Sequence, residues 1–324
     1  METTNTSIST PDKNDAYDLI IIGGGPGGLT AGIYAMRSVM KTMLIEKGAL
    51  GGQMTVTDAV DNWPGTLNIS GHDLSENFAQ HAQDYGLQIV NGEVVAVEPG
   101  QQYHAIRLAD GTVYHTHAAI IATGGSPKKL NIPGEDENYG KGVSYCAVCD
   151  GFFFRNKTVV VIGGGNSAAE ESLYLAKLAT KVYLVHRRDA LRADKIMQER
   201  IFAEEKIEVV WDTIPKEVLS DEQGVNGVLV ENVKSGEQRR ITTDGVFIFI
   251  GFSPNNSMVP EGTILSPDGY VSTDNRGEIS TPGIFVVGDL RDKYAKQIVI
   301  AAGEGATAAL AAAHFVDLKK NTTD

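Results

Sequence analysis

The chain has 324 residues, 42% of them hydrophobic and 21% charged, a composition that fits a globular protein long enough for two domains. Lys and Arg number 28 against 41 Asp and Glu, for a formal net charge of −13, which disfavours non-specific binding to nucleic acid or to an anionic membrane. Only two cysteines occur, too few for a disulfide-stapled framework, and with no secretion signal they fit a cytoplasmic protein whose disulfides are catalytic.

Residues 1–15 are rich in Ser, Thr and Asn and lack an apolar signal core; they read as a disordered tail, neither secretion signal nor anchor. No apolar run is expected to reach membrane-spanning length. Order begins at Tyr17–Ile22, an apolar run suited to a buried parallel strand, and continues through Gly23-Gly24-Gly25-Pro26-Gly27-Gly28 into a helix from Leu29 to about Arg37. Strand, G-x-G-x-x-G and helix make a dinucleotide site: Gly23 permits the turn, Gly25 lets backbone approach a pyrophosphate, and Gly28 lets helix pack on strand. A second strand, Lys41 to Ile45, ends at Glu46, about 20 residues on, where a carboxylate can accept hydrogen bonds from a ribose.

Gly51-Gly52-Gln53 and Asn62-Trp63-Pro64-Gly65 read as polar loops. Strands are expected at Gly92–Val97, Ala105–Leu108 and Val113–His117, followed by the apolar run Ala118–Ala122, which stops at Thr123-Gly124. Small residues at the end of a parallel strand allow a ligand to lie close to the backbone.

Cys146-Ala147-Val148-Cys149 sets the two cysteines three positions apart, a spacing that can close a disulfide and lower a thiol pKa. The competing reading, half of a zinc site, needs four ligands, and no further cysteine exists; no metal is expected. Asp150, beside the pair, is a candidate acid/base, or else a turn or capping carboxylate.

The opening pattern then repeats. Thr158–Ile162 leads into Gly163-Gly164-Gly165-Asn166-Ser167-Ala168, now G-x-G-x-x-A, then a helix from Ala169 to about Leu178 and a strand from Lys181 to Val185. Where the first copy has Glu46, the second has His186-Arg187-Arg188, with Arg192 close behind. Guanidinium groups bind a 2′-phosphate that a carboxylate would repel, so this site should prefer NADP(H). A hairpin follows at Val228–Thr242, and the run Val246–Ile250 ends at Gly251 as the earlier strand ended at Gly124. Ile284–Val287 runs into Gly288-Asp289, and a small-residue helix from Ile298 to Leu318 begins after Lys296-Gln297. Asp289 can accept hydrogen bonds from a polyol or cap backbone, and the helix start can aim its positive end at an electron-rich ring.

The expected fold is α/β, with two Rossmann-like, three-layer nucleotide-binding domains, the second inserted into the first. The first would comprise residues 16–127 and 256–324; the second, residues 128–255, would carry the C-x-x-C.

Taken together and in order, these motifs resemble the low-molecular-weight bacterial thioredoxin reductases over nearly the whole chain beyond the tail. The resemblance implies FAD on the first loop, NADPH on the second, a homodimer, and thioredoxin as protein substrate. It implies that Glu46 holds the adenosine ribose and that Asn62, Asp289 and Gln297 lie near the ribityl chain and flavin. It further implies that Cys149 faces the flavin while Cys146 attacks the partner. Asn166 stands where an acidic residue is frequent in similar proteins, and Lys296 where Arg is common. Because the hydride donor and the disulfide share one domain, that domain is expected to rotate about connections near Lys128–Pro133 and Gly251–Asn255. Competing expectations are a reductase of a peroxiredoxin system, a ferredoxin–NADP reductase, which needs no C-x-x-C, and a redox sensor with little turnover.

Overall fold

The computed structural model describes residues 16–56, 60, 62–67 and 69–321; the expected disordered tail lies outside them. In chain order the strands are β1 (Tyr17–Ile22), β2 (Thr42–Glu46), β3 (Gln88–Asn91), β4 (Val94–Glu98), β5 (His104–Leu108), β6 (Val113–Ile121), β7 (Gly125–Pro127), β8 (Val143–Ser144) and β9 (Thr158–Gly163). They continue as β10 (Lys181–Val185), β11 (Ile207–Val210), β12 (Thr213–Asp221), β13 (Gly224–Asn232), β14 (Gln238–Thr242), β15 (Gly245–Phe249), β16 (Phe252–Pro254) and β17 (Ile284–Val286). The α-helices are α1 (Pro26–Arg37), α2 (Gly71–Asp84), α3 (Ala147–Asp150), α4 (Asn166–Ala176), α5 (Lys195–Ala203) and α6 (Ile298–Asn321).

The chain divides into two compact units. The first runs to Thr55, resumes over His72–Gly125 and closes from Pro254 onward; the second comprises Val56–Gly71 and Ser126–Ser253. The crossings fall two residues before the expected boundaries, and Val56–Gly71, which contains Asn62, groups with the second unit. A polar loop has no periodicity that would assign it to either core.

In the first unit the strand order is β3-β2-β1-β6-β5-β4, with β17 also paired to β6. β6 is one continuous strand where two segments were expected. Its early residues pair antiparallel with β5, Arg107 opposite Val113. Its later residues run parallel to β1 and β17, with Ala119 beside Ile20 and Ile284. The strand expected at Gly92–Val97 is β4, which pairs antiparallel with β5, while β3, just before it and parallel to β2, was not anticipated. Ile20, Met43, Ile106, Ile121 and Ile284 meet in one buried core. Burial of such aliphatic side chains contributes roughly 1.5–3 kcal/mol each.

Helix α6 is long and apolar enough to cross a membrane by length and composition, contrary to the expectation that no run approaches that length. Its small residues serve another purpose here. A Cβ on Gly305 would strike the Gly27 carbonyl of α1, and one on Gly27 would come within 3.1 Å of Ala301 O, so the two helices cross with their backbones nearly touching.

In the second unit β11-β10-β9-β15-β8 form a parallel sheet and β12-β13-β14 an antiparallel one. The run Val159-Val160-Val161-Ile162 is apolar throughout because both faces of β9 are covered. Val159 and Val161 pack with Ala168, Leu175 and Phe247, whereas Val160 and Ile162 pack with Val218, Val228 and Val246.

Candidate active site

The first glycine loop is shaped by close approaches. Gly23 adopts φ 107° and a Cβ there would lie 2.5 Å from Ala122 O, while a Cβ on Gly28 would strike Gly23 O. Those two glycines are demanded by packing. Gly25 is not: its φ is −74°, and among the described residues a Cβ on it would meet nothing within 4 Å. It is the N-cap of α1, has no side-chain cap and precedes Pro26 at the first helical position. Free helix N–H groups next to an empty Cβ position fit an anionic group resting on the backbone.

Around this loop, Gly51 N–H donates to Gly24 O at 2.8 Å, and Gln53 Nε2 donates to Gly125 O at 3.4 Å. A Cβ on Gly52 would lie 3.4 Å from Gly25 Cα. Glu46 accepts from Gly24 N–H at 2.6 Å and from Gly48 N–H at 2.7 Å. Thr123 Oγ1 donates to Asn255 O at 2.8 Å and Asn255 Nδ2 returns a bond to Thr123 O at 2.9 Å. The Gly124 carbonyl accepts from Asn255 N–H. Asn62 is exposed and groups with the second unit.

The second loop reproduces the first. A Cβ on Gly163 would lie 2.5 Å from Phe249 O and 2.7 Å from the Ala168 methyl, whereas on Gly165, the uncapped N-cap of α4, it would meet nothing within 4 Å among the described residues. Asn166 is tied to Asp194, the N-cap of α5, by reciprocal bonds of 2.7 and 3.0 Å. Ser167 is exposed in the first turn of α4 and Ala168 is buried.

His186 is also buried, its Nε2 3.1 Å from Ala190 O and its ring where a Cβ on Gly164 would go. Burial lowers its pKa, so at neutral pH it props the loop without adding charge. Arg187, Arg188 and Arg192 are exposed, and Arg192 N–H donates to Gly164 O at 2.6 Å, holding its segment beside the glycine loop.

Cys146 and Cys149 form a disulfide, with Cα atoms 5.3 Å apart. Cys146 is the N-cap of α3, and its Sγ accepts Cys149 N–H at 3.2 Å. Asp150 Oδ2 accepts from Ser144 Oγ at 2.5 Å, and Ser144 Oγ in turn accepts Cys146 N–H at 3.0 Å. Behind the pair, Glu171 of α4 has its carboxyl pushed up to about 7 by burial first and by neighbouring Glu170 second, a rise partly offset by the Ala147 amide. Val148, Phe152 and Phe153 are exposed apolar side chains flanking the disulfide.

At the closing segment, Asp289 is raised in pKa by burial, against the opposing charge of Lys293. Lys296 donates to Tyr270 OH at 2.8 Å and lies 4.0 Å from the ring centroid; Gln297 O accepts Ala301 N–H at the start of α6. Glu304 anchors this turn, accepting Gly288 N–H at 2.7 Å and pairing with Arg291 at 3.0 Å.

Ser144, Glu171 and Glu304 escaped the sequence reading, and Asn255 entered it only as the end of a connection. Ser144, two residues before the first cysteine of the motif, was the most accessible to notice. Among the described residues no cluster of three or more His, Cys, Asp or Glu could hold a metal.

Residues 17–305 match the pyridine nucleotide-disulphide oxidoreductase family model. The chain is 43% identical over 306 residues to a thioredoxin reductase of Bacillus subtilis, covering 94% of this chain and 96% of that one. It is likewise 43% identical over 307 residues to one from Treponema pallidum, covering 94% and 99%. The crystal structure of thioredoxin reductase from Streptococcus pyogenes superposes with a TM-score of 0.91 at 42% identity, over 94% of this chain and 99% of that one.

The chain therefore belongs to the pyridine nucleotide-disulphide oxidoreductase family, with the expected α/β fold of two Rossmann-like domains. It is a flavoprotein oxidoreductase, and family members of the thioredoxin reductase type work with FAD and NADPH.

Proposed function

We propose that this enzyme is an NADPH-dependent thioredoxin reductase, with FAD on the first unit, NADPH on the second, and Cys146–Cys149 as the electron outlet to a protein disulfide. The observation that carries the proposal is the disulfide on α3, hydrogen-bonded through Ser144 to the Asp150 carboxyl and set in the same unit as the arginine-bearing glycine loop. Exposed Val148 and Phe152 beside it favour a macromolecular partner, and the names of the bacterial relatives support thioredoxin.

When bound, FAD accepts a hydride from NADPH and supplies two electrons to the disulfide. The chain's own residues do the rest. Gly23, Gly25, Pro26 and Gly28 cradle the flavin pyrophosphate, and Glu46 holds the adenosine ribose. Gly52, Gln53, Asn62, Ala122, Thr123, Gly124, Gly288, Asp289, Lys296 and Gln297 bound the remainder of that site. Gly163, Gly165, Asn166, Ser167 and Ala168 cradle NADPH, and Arg187, Arg188 and Arg192 bind its 2′-phosphate, with His186 propping them.

Once reduced, Cys146 as thiolate attacks one sulfur of the partner disulfide, forming a mixed disulfide and expelling a partner thiolate that takes up a proton. Cys149 as thiolate then attacks the Cys146 sulfur, restoring Cys146–Cys149 and expelling the second partner thiolate. Two thiols are lost on the enzyme and two gained on the partner. Asp150 holds and transfers the proton.

The same reading makes the enzyme a cytoplasmic homodimer, with the inserted domain turning about the connections near Lys128–Pro133 and Gly251–Asn255 between half-reactions. Anaerobic titration tests it. NADPH should bleach the flavin far more readily than NADH, and oxidised thioredoxin should restore the colour; bleaching without recovery would contradict the proposal.

A further inference from the structure

Ser144 ends β8, the edge strand of the second parallel sheet, where it pairs with Phe247 of β15, and it is only 2% exposed. Its hydroxyl faces three polar atoms: Asp150 Oδ2 at 2.5 Å, Cys146 N at 3.0 Å and Cys146 O at 3.2 Å. A hydroxyl accepting from a backbone N–H two residues on is a common turn device. The short bond to a carboxylate is not part of that device, and it places one rotor between the acid/base candidate and the backbone of the attacking cysteine.

A serine hydroxyl has one proton to donate and two lone pairs. While Asp150 is ionised, that proton is directed at Oδ2 in a charge-assisted bond, and Oγ accepts Cys146 N–H. Once Asp150 is protonated it becomes a donor to Oγ, and the serine proton turns to Cys146 O. Every partner is satisfied in both arrangements, with no heavy atom displaced.

Resting on the proposed acid/base role of Asp150, we propose that Ser144 is a positioning residue for thiol–disulfide interchange, holding the Asp150 carboxyl against the Cys146 backbone and reversing its own hydrogen bond whenever that carboxyl gains or loses a proton. Ser144 touches neither the partner disulfide nor the flavin; it acts through Asp150. Other titratable groups facing this cluster are Tyr139, whose phenol is raised by burial and by the Asp150 charge, Glu171 from α4 and, once the disulfide is reduced, the two cysteines.

The test compares Ser144→Ala, Ser144→Thr and Asp150→Asn flavoenzymes. Turnover with NADPH and an oxidised bacterial thioredoxin is measured from pH 5.5 to 9, and flavin bleaching by NADPH is followed separately. Ser144→Ala should lower kcat about three- to tenfold, roughly the net weight of one ordinary hydrogen bond. It should also move to higher pH the limb of the profile that Asp150→Asn abolishes, because the ionised carboxylate has lost a donor. Bleaching should be unchanged, and Ser144→Thr, which keeps the hydroxyl, should restore the parental profile. A parental profile in Ser144→Ala alongside a slow Asp150→Asn overturns the role of Ser144 alone. The same altered profile in the Ala and Thr variants also overturns it, since packing would then be the cause. Full activity in Asp150→Asn instead overturns the acid/base role on which the inference rests.

Discussion

The Glu46 carboxylate accepts the Gly24 amide hydrogen at 2.6 Å and, with its other oxygen, that of Gly48 at 2.7 Å. One side chain at the end of β2 thus fixes the middle of the first glycine loop before any ligand binds. Glu46→Ala leaves both amides without this acceptor. It should weaken FAD binding by tenfold or more and lower the stability of the flavin-free protein by about 1–3 kcal/mol. Flavin content after gel filtration and urea unfolding of the apoprotein check the two effects. Lost stability with full flavin retention would reduce Glu46 to a loop cap.

The glycines of each loop separate into two kinds. Gly28→Ala drives a methyl into Gly23 O, and the protein should fail to accumulate as a folded species. Gly25→Ala and Gly165→Ala place a methyl that meets nothing within 4 Å among the described residues and have ordinary φ values, so both should fold normally. Gly25→Ala should then lose flavin, while Gly165→Ala keeps flavin and shows a raised KM for NADPH. Circular dichroism with flavin absorbance distinguishes these outcomes.

The arginines should discriminate between the two nicotinamide cofactors. Replacing Arg187 and Arg188 together by Ala removes two charge-assisted contacts, so the KM for NADPH should rise on the order of 100-fold while that for NADH stays within about twofold. Equal rises would move these residues from phosphate binding to a general structural role.

Two buried groups give the units opposite pH responses. His104 is held at about 4 against an ordinary 6.5, by burial first and then by the charge of Lys319. Its contribution is fully present above 6.5 and is lost as pH falls toward 4. Glu171, raised to about 7 from 4.5, stabilises the fold fully below 4.5, and that contribution is lost as pH rises through 7. Between pH 7 and 5, hydrogen exchange corrected for its intrinsic rate should quicken around His104 and slow around Glu171. His104→Asn, whose Oδ1 can replace the Nδ1 acceptor of Gly100 N–H, should flatten the first response, and Glu171→Gln the second.

Much of this arrangement was legible because the glycine loops are written twice, each between a continuous apolar strand and a helix. The inner parallel strands β1, β9 and β15 were equally plain, since burial on both faces leaves no polar residue in a run such as Val159–Ile162, whereas the parallel strands β3, β8 and β11 were not anticipated. Helix α2 was missed although Leu74, Phe78 and Ala82 recur at helical spacing and are buried, because its other positions are largely polar or charged. Ser144 and Glu171 could not be placed by pattern: each matters through a fold-dependent neighbour, Asp150 for one and Ala147 for the other. The division of β6 between two sets of partners likewise depends on register, which neither the mixed segment Val113–His117 nor the apolar run after it encodes.

The central claim is that electrons leave through Cys146 and Cys149 to a protein disulfide. The most direct measurement is NADPH oxidation in the presence of oxidised thioredoxin, with anaerobic flavin bleaching followed in parallel, for the parent enzyme and Cys149→Ser. Thioredoxin-dependent turnover in the parent, together with its loss at unchanged bleaching in the variant, is the predicted result. Sustained thioredoxin reduction by Cys149→Ser would contradict the account.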